Sequence, residues 1–173
     1  MIPKGGLDLE LYFLRHGLAA GKRGREPADE DRPLTPQGLD EMREVARGLR
    51  RMKLSFDVIV SSPYRRARQT AEVVADILKF GKKVRLSEAL LPGAHWEDFS
   101  NLLEELDADE RALFVGHQPT LGRLVSKLIS GGDGFSIDLR KGGLARVDTS
   151  ELGTGVLNEL VFLLAPKHIS RYH

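Results

Sequence analysis

There is no cysteine among the 173 residues of this chain, which excludes disulfides, thiolate metal sites and a cysteine nucleophile. Neither charge is in excess: 26 Lys and Arg face 25 Asp and Glu, a formal net charge of +1. Such a balance sets up no global field to gather nucleic acid or an anionic membrane, so any affinity for anions has to be local. Aromatic residues make up only 6% of the chain, and with no recognised binding motif this argues against a nucleic-acid partner. No apolar run approaches the roughly 18 residues of a membrane span. The segment Met1-Ile2-Pro3-Lys4-Gly5-Gly6 has no apolar signal core. The expectation is a soluble, cytoplasmic protein without a membrane partner.

The 41% of hydrophobic residues suffices for one sizeable core, and the length fits a single domain over residues 1–173. Strand and helix signals alternate, the pattern of βα units around a largely parallel sheet. Apolar strands are expected at residues 9–14, 57–61, 83–86 and 112–115. Thr35 and Pro36 form an N-cap and first helical residue, followed by Leu39, Met42, Val45, Ala46, Leu49 and Met52 at helical spacing. A second helix is expected to take Ser62 as cap and Pro63 as first residue, with Ala67, Ala71, Val74 and Leu78 as its buried stripe. Trp96, Phe99, Leu102, Leu103 and Leu106 mark a third, and Gln118-Pro119 opens a fourth that Gly131-Gly132-Asp133-Gly134 ends. Two last strands, near residues 144–148 and 156–164, look like a hairpin joined through Gly153-Thr154-Gly155. The most irregular stretch is residues 18–33, long enough to be a functional loop.

The chemistry lies where strands end. Arg15-His16-Gly17 follows the first strand, Ser61-Ser62-Pro63-Tyr64-Arg65-Arg66 the second, and Gly116-His117-Gln118-Pro119 a later one. Ligands of open α/β sheets bind in the crevice outside such ends. Two imidazoles and several guanidiniums without cysteine or carboxylate ligands point to a tetrahedral oxyanion, phosphate fitting best, and to no metal site. Arginine offers phosphate a bidentate fork, and backbone N–H groups at the helix starts after Ser62 and Gln118 would add donors. An unprotonated imidazole can attack phosphorus and hold the phosphoryl group until water removes it, while a cationic one and the arginines neutralise the equatorial oxygens. His16 suits the first role and His117 the second.

Arg15-His16-Gly17, Ser62-Pro63-Tyr64-x-Arg66-Ala67-x-Gln69-Thr70 and Gly116-His117-Gln118-Pro119, in this order and together with Arg32-Pro33-Leu34-Thr35-x-x-Gly38, resemble the histidine phosphatase superfamily, and within it the SixA-type phosphohistidine phosphatases. The resemblance spans residues 9 to about 164. It implies a three-layer α/β/α sandwich of phosphoglycerate-mutase-like fold with a mostly parallel sheet. It also implies a phosphohistidine intermediate on His16 and a phosphate pocket from Arg15, Arg66 and His117, with Gly17 and Arg32 as further substrate contacts. The substrate it implies is phosphohistidine on a protein, with no cofactor and no metal, and with a monomer or weak dimer as the working form. A small phosphorylated metabolite or nucleotide as substrate, or a catalytically silent phosphate-binding module, are the alternatives. Two carboxylates compete for the general acid: Glu88, after the third strand, and Asp29, in the acidic loop before Arg32. A phosphoramidate leaving group, an imidazole with pKa near 6.5, needs less acid assistance than an alcohol.

Plainer readings stand beside these. Arg32 can simply pair with Asp29 or Asp31 at the surface, Glu88 can be a loop carboxylate, and Arg65 and Arg68 fall on a solvated helix face. His95, His168 and His173 have no motif partners. Residues 17–22 superficially match a phosphate-binding loop, but the spacing is one residue short and Arg23 stands where Ser or Thr would hold magnesium. Asp107-Ala108-Asp109 follows a helix, not an apolar strand, and reads as a turn.

Overall fold

The computed structural model describes residues 9–21, 28–107, 110–132, 134–135, 137–149 and 158–172. The expected turn through Gly153-Thr154-Gly155, the basic run 22–25, Ala108-Asp109, Asp133 and His173 lie outside them. Among the described residues six strands form one sheet: β1 (Leu9–Arg15), β2 (Val58–Ser61), β3 (Arg85–Leu86), β4 (Arg111–Gly116), β5 (Leu144–Thr149) and β6 (Glu159–Leu164). Their order across the sheet is β3-β2-β4-β1-β5-β6. The first four are mutually parallel, β5 runs antiparallel to β1, and β6 antiparallel to β5 with an irregularity between Arg146 and Val147.

Because successive strand residues face opposite sides, the interior strands feed two cores. Leu9, Leu11, Phe13, Val60, Ala112 and Phe114 face α3 (Trp96–Glu104) and α4 (Thr120–Ser130). Tyr12, Leu14, Ile59, Leu113 and Val115 face α1 (Pro36–Arg51), α2 (Arg65–Ile77) and α5 (Pro166–Ser170). Strands buried on both faces read as continuous apolar runs rather than alternating ones. Phe13, Phe99 and Phe114 are fully buried, each contributing about 1.5–3 kcal/mol of burial. The result is the three-layer α/β/α sandwich with a mostly parallel sheet.

Helix α1 begins as its sequence dictates. The Thr35 hydroxyl accepts the Gly38 N–H at 2.9 Å and Pro36 occupies the first turn. Its first turn rests on the chain leaving β1: a Cβ at Gly38 would lie 2.1 Å from the Leu18 carbonyl oxygen, so only glycine fits. Helix α2 differs from expectation, starting at Arg65 rather than Pro63. The Ser62 hydroxyl, expected as its cap, is bound to His117 and to the Tyr64 N–H, leaving residues 63–64 as a turn. Helix α4 likewise starts at Thr120, one residue after Pro119, and ends on Gly131 in the left-handed conformation. Strand β3 is only two residues long, both exposed.

Candidate active site

The parallel register brings the chemistry together. Arg15 of β1 lies opposite Gly116 of β4, and Ser61 of β2 opposite Val115. The next residues of three adjacent strands, His16, His117 and Ser62, therefore emerge side by side. The strand order switches here, since β1 leads away to β2 while β4 inserts between them, which opens the crevice. The His16 and His117 ring centroids are 5.1 Å apart. Both imidazoles are buried, as is Arg66, which α2 delivers from its first turn.

His16 has a single defined tautomer. Its Nδ1 lies 2.8 Å from the Gly17 carbonyl oxygen, which can only accept, so Nδ1 carries the proton. Its Nε2 accepts the Arg66 Nε–H at 3.2 Å, as only a lone pair can. Burial pulls its pKa down to about 4, and Arg66, Arg15 and Lys141 act in the same direction against the opposing Gly17 hydrogen bond. His16 is thus neutral at pH 7 with Nε2 unprotonated. His117 is pulled down to about 3, by burial first and then by His16, Arg66 and Arg15, with Asp29 opposing. His117 is thus neutral at pH 7, whereas the role expected for it calls for its cationic form. Its Nε2 is 2.8 Å from the Ser62 hydroxyl oxygen, and its buried Nδ1 has no partner among the described residues.

Arg66 is held from two sides. Its guanidinium donates to the Asp29 backbone oxygen at 2.5 Å and to Asp29 Oδ2 at 3.0 Å, and it lies over the Tyr64 ring at 5.0 Å. The Tyr64 ring also packs edge-on against His117, 5.2 Å between centroids. The other Asp29 oxygen receives Arg32 Nε at 2.9 Å, and Arg32 also donates to the Ala20 backbone oxygen. Asp29 and Arg32 are therefore brought to the site, as a carboxylate bridging two guanidiniums and a tie on the loop. Arg15 donates to the Leu139 backbone oxygen at 2.8 Å, while its buried Nε has no partner among the described residues. Gly17 spends its N–H on Thr70 Oγ1 and its carbonyl on His16, so both groups are used internally.

Glu88 is exposed. It lines a groove of about 430 Å³ with Glu30, Asp31, Tyr64, Arg65 and Arg68. Arg65 and Arg68 are exposed, as expected. Among the described residues no group of three or more His, Asp or Glu side chains is placed to hold a metal ion, and no helix is long and apolar enough to cross a membrane. Sequence reasoning missed Ser62 on His117, Tyr64 on both His117 and Arg66, and Thr70 on Gly17. All three lie in the segment whose Arg66 it singled out.

A family model, the histidine phosphatase superfamily (branch 1), matches residues 11–115. This chain belongs to the histidine phosphatase superfamily. Among curated relatives of this superfamily member, a Picosynechococcus protein of uncharacterised function is 37% identical over 163 residues, covering 92% of this chain and 98% of that protein. Phosphohistidine phosphatase SixA of Escherichia coli strain K12 is 31% identical over 152 residues, covering 87% and 91%. The solved structure of the protein histidine phosphatase SixA complexed with tungstate matches with a TM-score of 0.77 at 27% identity, covering 92% of this chain and 99% of that one. The chain is accordingly a phosphatase, a hydrolase of phosphoglycerate-mutase-like fold. Arg15, His16 and Arg66 lie inside the span matched by the superfamily model, whereas His117 falls just beyond it and is joined to them by the β1–β4 register.

The buried neutral imidazoles have a consequence for stability. In the unfolded chain each takes up a proton near pH 6.5, but in the folded protein only near 4 and 3. Between these values the unfolded state binds more protons, so their contribution to stability is full above about 6.5 and is lost as pH falls towards 3. Urea unfolding midpoints of the wild type are expected to drop from pH 7 to pH 4, and less steeply in His117→Gln. Equal slopes for the two proteins would contradict a buried neutral His117.

Proposed function

We propose that this phosphatase hydrolyses phosphohistidine on a protein, by way of a covalent phosphohistidine on its own His16. The observation that carries the reading is the state of His16: buried, neutral, with its Nε2 lone pair presented beside Arg66. In the first step the Arg66 Nε–H turns from Nε2 to a phosphoryl oxygen, the freed Nε2 lone pair attacks phosphorus, a P–N bond forms to His16, and the P–N bond to the substrate imidazole breaks. The departing ring takes a proton from solvent or a rim carboxylate. In the second step water attacks phosphorus, the bond to Nε2 breaks, and inorganic phosphate leaves.

Arg66, Arg15 and His117 surround the phosphoryl oxygens in this scheme. The unpartnered Arg15 Nε supplies a donor as it stands. His117 Nδ1 becomes one when the Ser62 hydroxyl donates to Nε2 and leaves the ring proton on Nδ1. A phosphate dianion beside His117 also favours a second proton on its ring, and so the cationic form. Asp29 serves to hold Arg66 rather than to deliver a proton, because both of its oxygens are engaged by guanidiniums. With Asp29 so engaged, a leaving group of pKa near 6.5 is handled more readily than an alkoxide. The similarity to SixA, including a structure with the tetrahedral oxyanion tungstate, supports the same reading.

The test compares turnover of a phosphohistidine-bearing protein with that of p-nitrophenyl phosphate and a panel of phosphate esters and nucleotides, all in excess EDTA. The phosphohistidine donor is expected to give the highest kcat/KM. Faster turnover of a small ester or nucleotide would overturn the assigned substrate, and dependence on added metal would overturn the mechanism.

A further inference from the structure

We infer that Thr70 is a positioning residue that sets the tautomer of His16 through a closed ring of hydrogen bonds. Its consequence for rate rests on His16 being the nucleophile. The Thr70 hydroxyl donates to the Arg66 backbone oxygen at 2.8 Å and accepts the Gly17 N–H at 3.2 Å. The Gly17 carbonyl accepts His16 Nδ1–H at 2.8 Å, and His16 Nε2 accepts Arg66 Nε–H at 3.2 Å, which returns the ring to the residue where it began.

Each direction is forced by chemistry. A backbone N–H only donates, so Thr70 Oγ1 accepts from Gly17 and sends its own proton to Arg66, whose carbonyl only accepts. The Gly17 carbonyl only accepts, so His16 Nδ1 holds the proton. The Arg66 Nε only donates, so His16 Nε2 holds the lone pair. Both ends of the ring therefore demand the same tautomer.

The hydroxyl-to-Arg66 bond alone would be an ordinary one, since Ser and Thr in helices often bond the carbonyl four residues back. The Gly17 N–H on the same oxygen makes it more. Glycine at residue 17 leaves room for Met42, whose Cγ would lie 2.6 Å from a Cβ there and would have to shift. The carbonyl that reads the tautomer thus belongs to the residue with the widest backbone freedom in the site. Thr70, fully buried, removes that freedom on one side of Gly17. On the other side the Leu18 carbonyl is held by the Thr35 N–H at 2.9 Å. Which ring nitrogen of a histidine carries its proton is set by what the other nitrogen bonds to.

The experiment uses the full chain with ¹⁵N-labelled histidine at pH 7, without substrate, and compares wild type with Thr70→Val and Thr70→Ser. Long-range ¹H–¹⁵N correlations are expected to show His16 as the single Nδ1–H form in wild type and in Thr70→Ser. In Thr70→Val, which keeps the shape and loses the hydroxyl, a mixture of the two tautomers is expected. The kcat should then fall about 10- to 100-fold, the range known for removing the hydrogen-bond partners that orient metal-ligating imidazoles, with little change in KM. A folded Thr70→Val with the wild-type tautomer and kcat overturns the proposal. So does a wild-type His16 protonated on Nε2, or a folded Thr70→Ser that loses the tautomer, and these two readouts stand even when Thr70→Val does not fold. The tautomer is measured without turnover, so failure of His16 as nucleophile would show in the kinetics of His16→Ala and leave this result intact.

Discussion

His16→Ala is expected to lower kcat/KM for a phosphohistidine protein by about 10⁴-fold or more, the scale of losing a covalent nucleophile. The site is built around one atom, Nε2 of this ring, and no described side chain beside it replaces it. His117 is the nearest imidazole, but in the proposed scheme its Nδ1 donates a hydrogen bond to the phosphoryl oxygens while its Nε2 bonds Ser62, and its ring packs against Tyr64 and His16. The variant should keep its fold, because the removed ring lies at the open end of the sheet rather than in either core. Steady-state assays with matched circular dichroism check both statements. Activity within tenfold of wild type would mean that phosphoryl transfer does not pass through His16.

Arg66 carries the second large effect, and two substitutions separate its charge from its shape. Arg66→Lys keeps the cation but loses the planar fork that reaches Nε2 of His16 and both the backbone and carboxylate of Asp29. A loss of about 10²–10³-fold in kcat/KM is expected, as for removal of one preorganised donor to a developing anion. Arg66→Ala removes the charge as well, and with it one cause of the depressed His16 pKa. The sign is definite. Losing a nearby cation makes protonation easier, so the acid limb of the pH profile moves up from about 4 towards the ordinary imidazole value near 6.5. In Arg66→Lys the limb should stay low while the rate falls. A limb that stays at the wild-type position in Arg66→Ala would show that Arg66 has no electrostatic hold on the nucleophile.

Much of this was legible in the chain. Apolar runs buried on both faces and helical stripes such as Met42, Val45, Ala46 and Leu49 follow from periodicity, and each found its layer. The placement of His16 and His117 at strand ends followed too, because a parallel sheet gathers the C-terminal ends of its strands on one edge. Hydrogen bonds that join segments far apart in sequence were not legible. Ser62 looks like a helix cap, and only the fold reveals His117 at its hydroxyl. Asp29 reads equally as an acid or a surface partner until Arg66, 37 residues away, is seen beside it. Short elements also escaped: α5 has five residues, too few to display a 3.6-residue period, and β3 keeps two of an expected four because the edge of the sheet offers it only β2.

The central claim is that a phosphoryl group passes through His16, and the most direct measurement is rapid-quench mass spectrometry of the full chain during turnover of a phosphohistidine protein in EDTA. The quench is alkaline, to preserve an acid-labile P–N bond. One phosphoryl group on the peptide containing His16, formed no more slowly than the overall turnover and absent from His16→Ala, is the result expected. Turnover with no adduct at any quench time, or an adduct on His117 instead, would contradict the account.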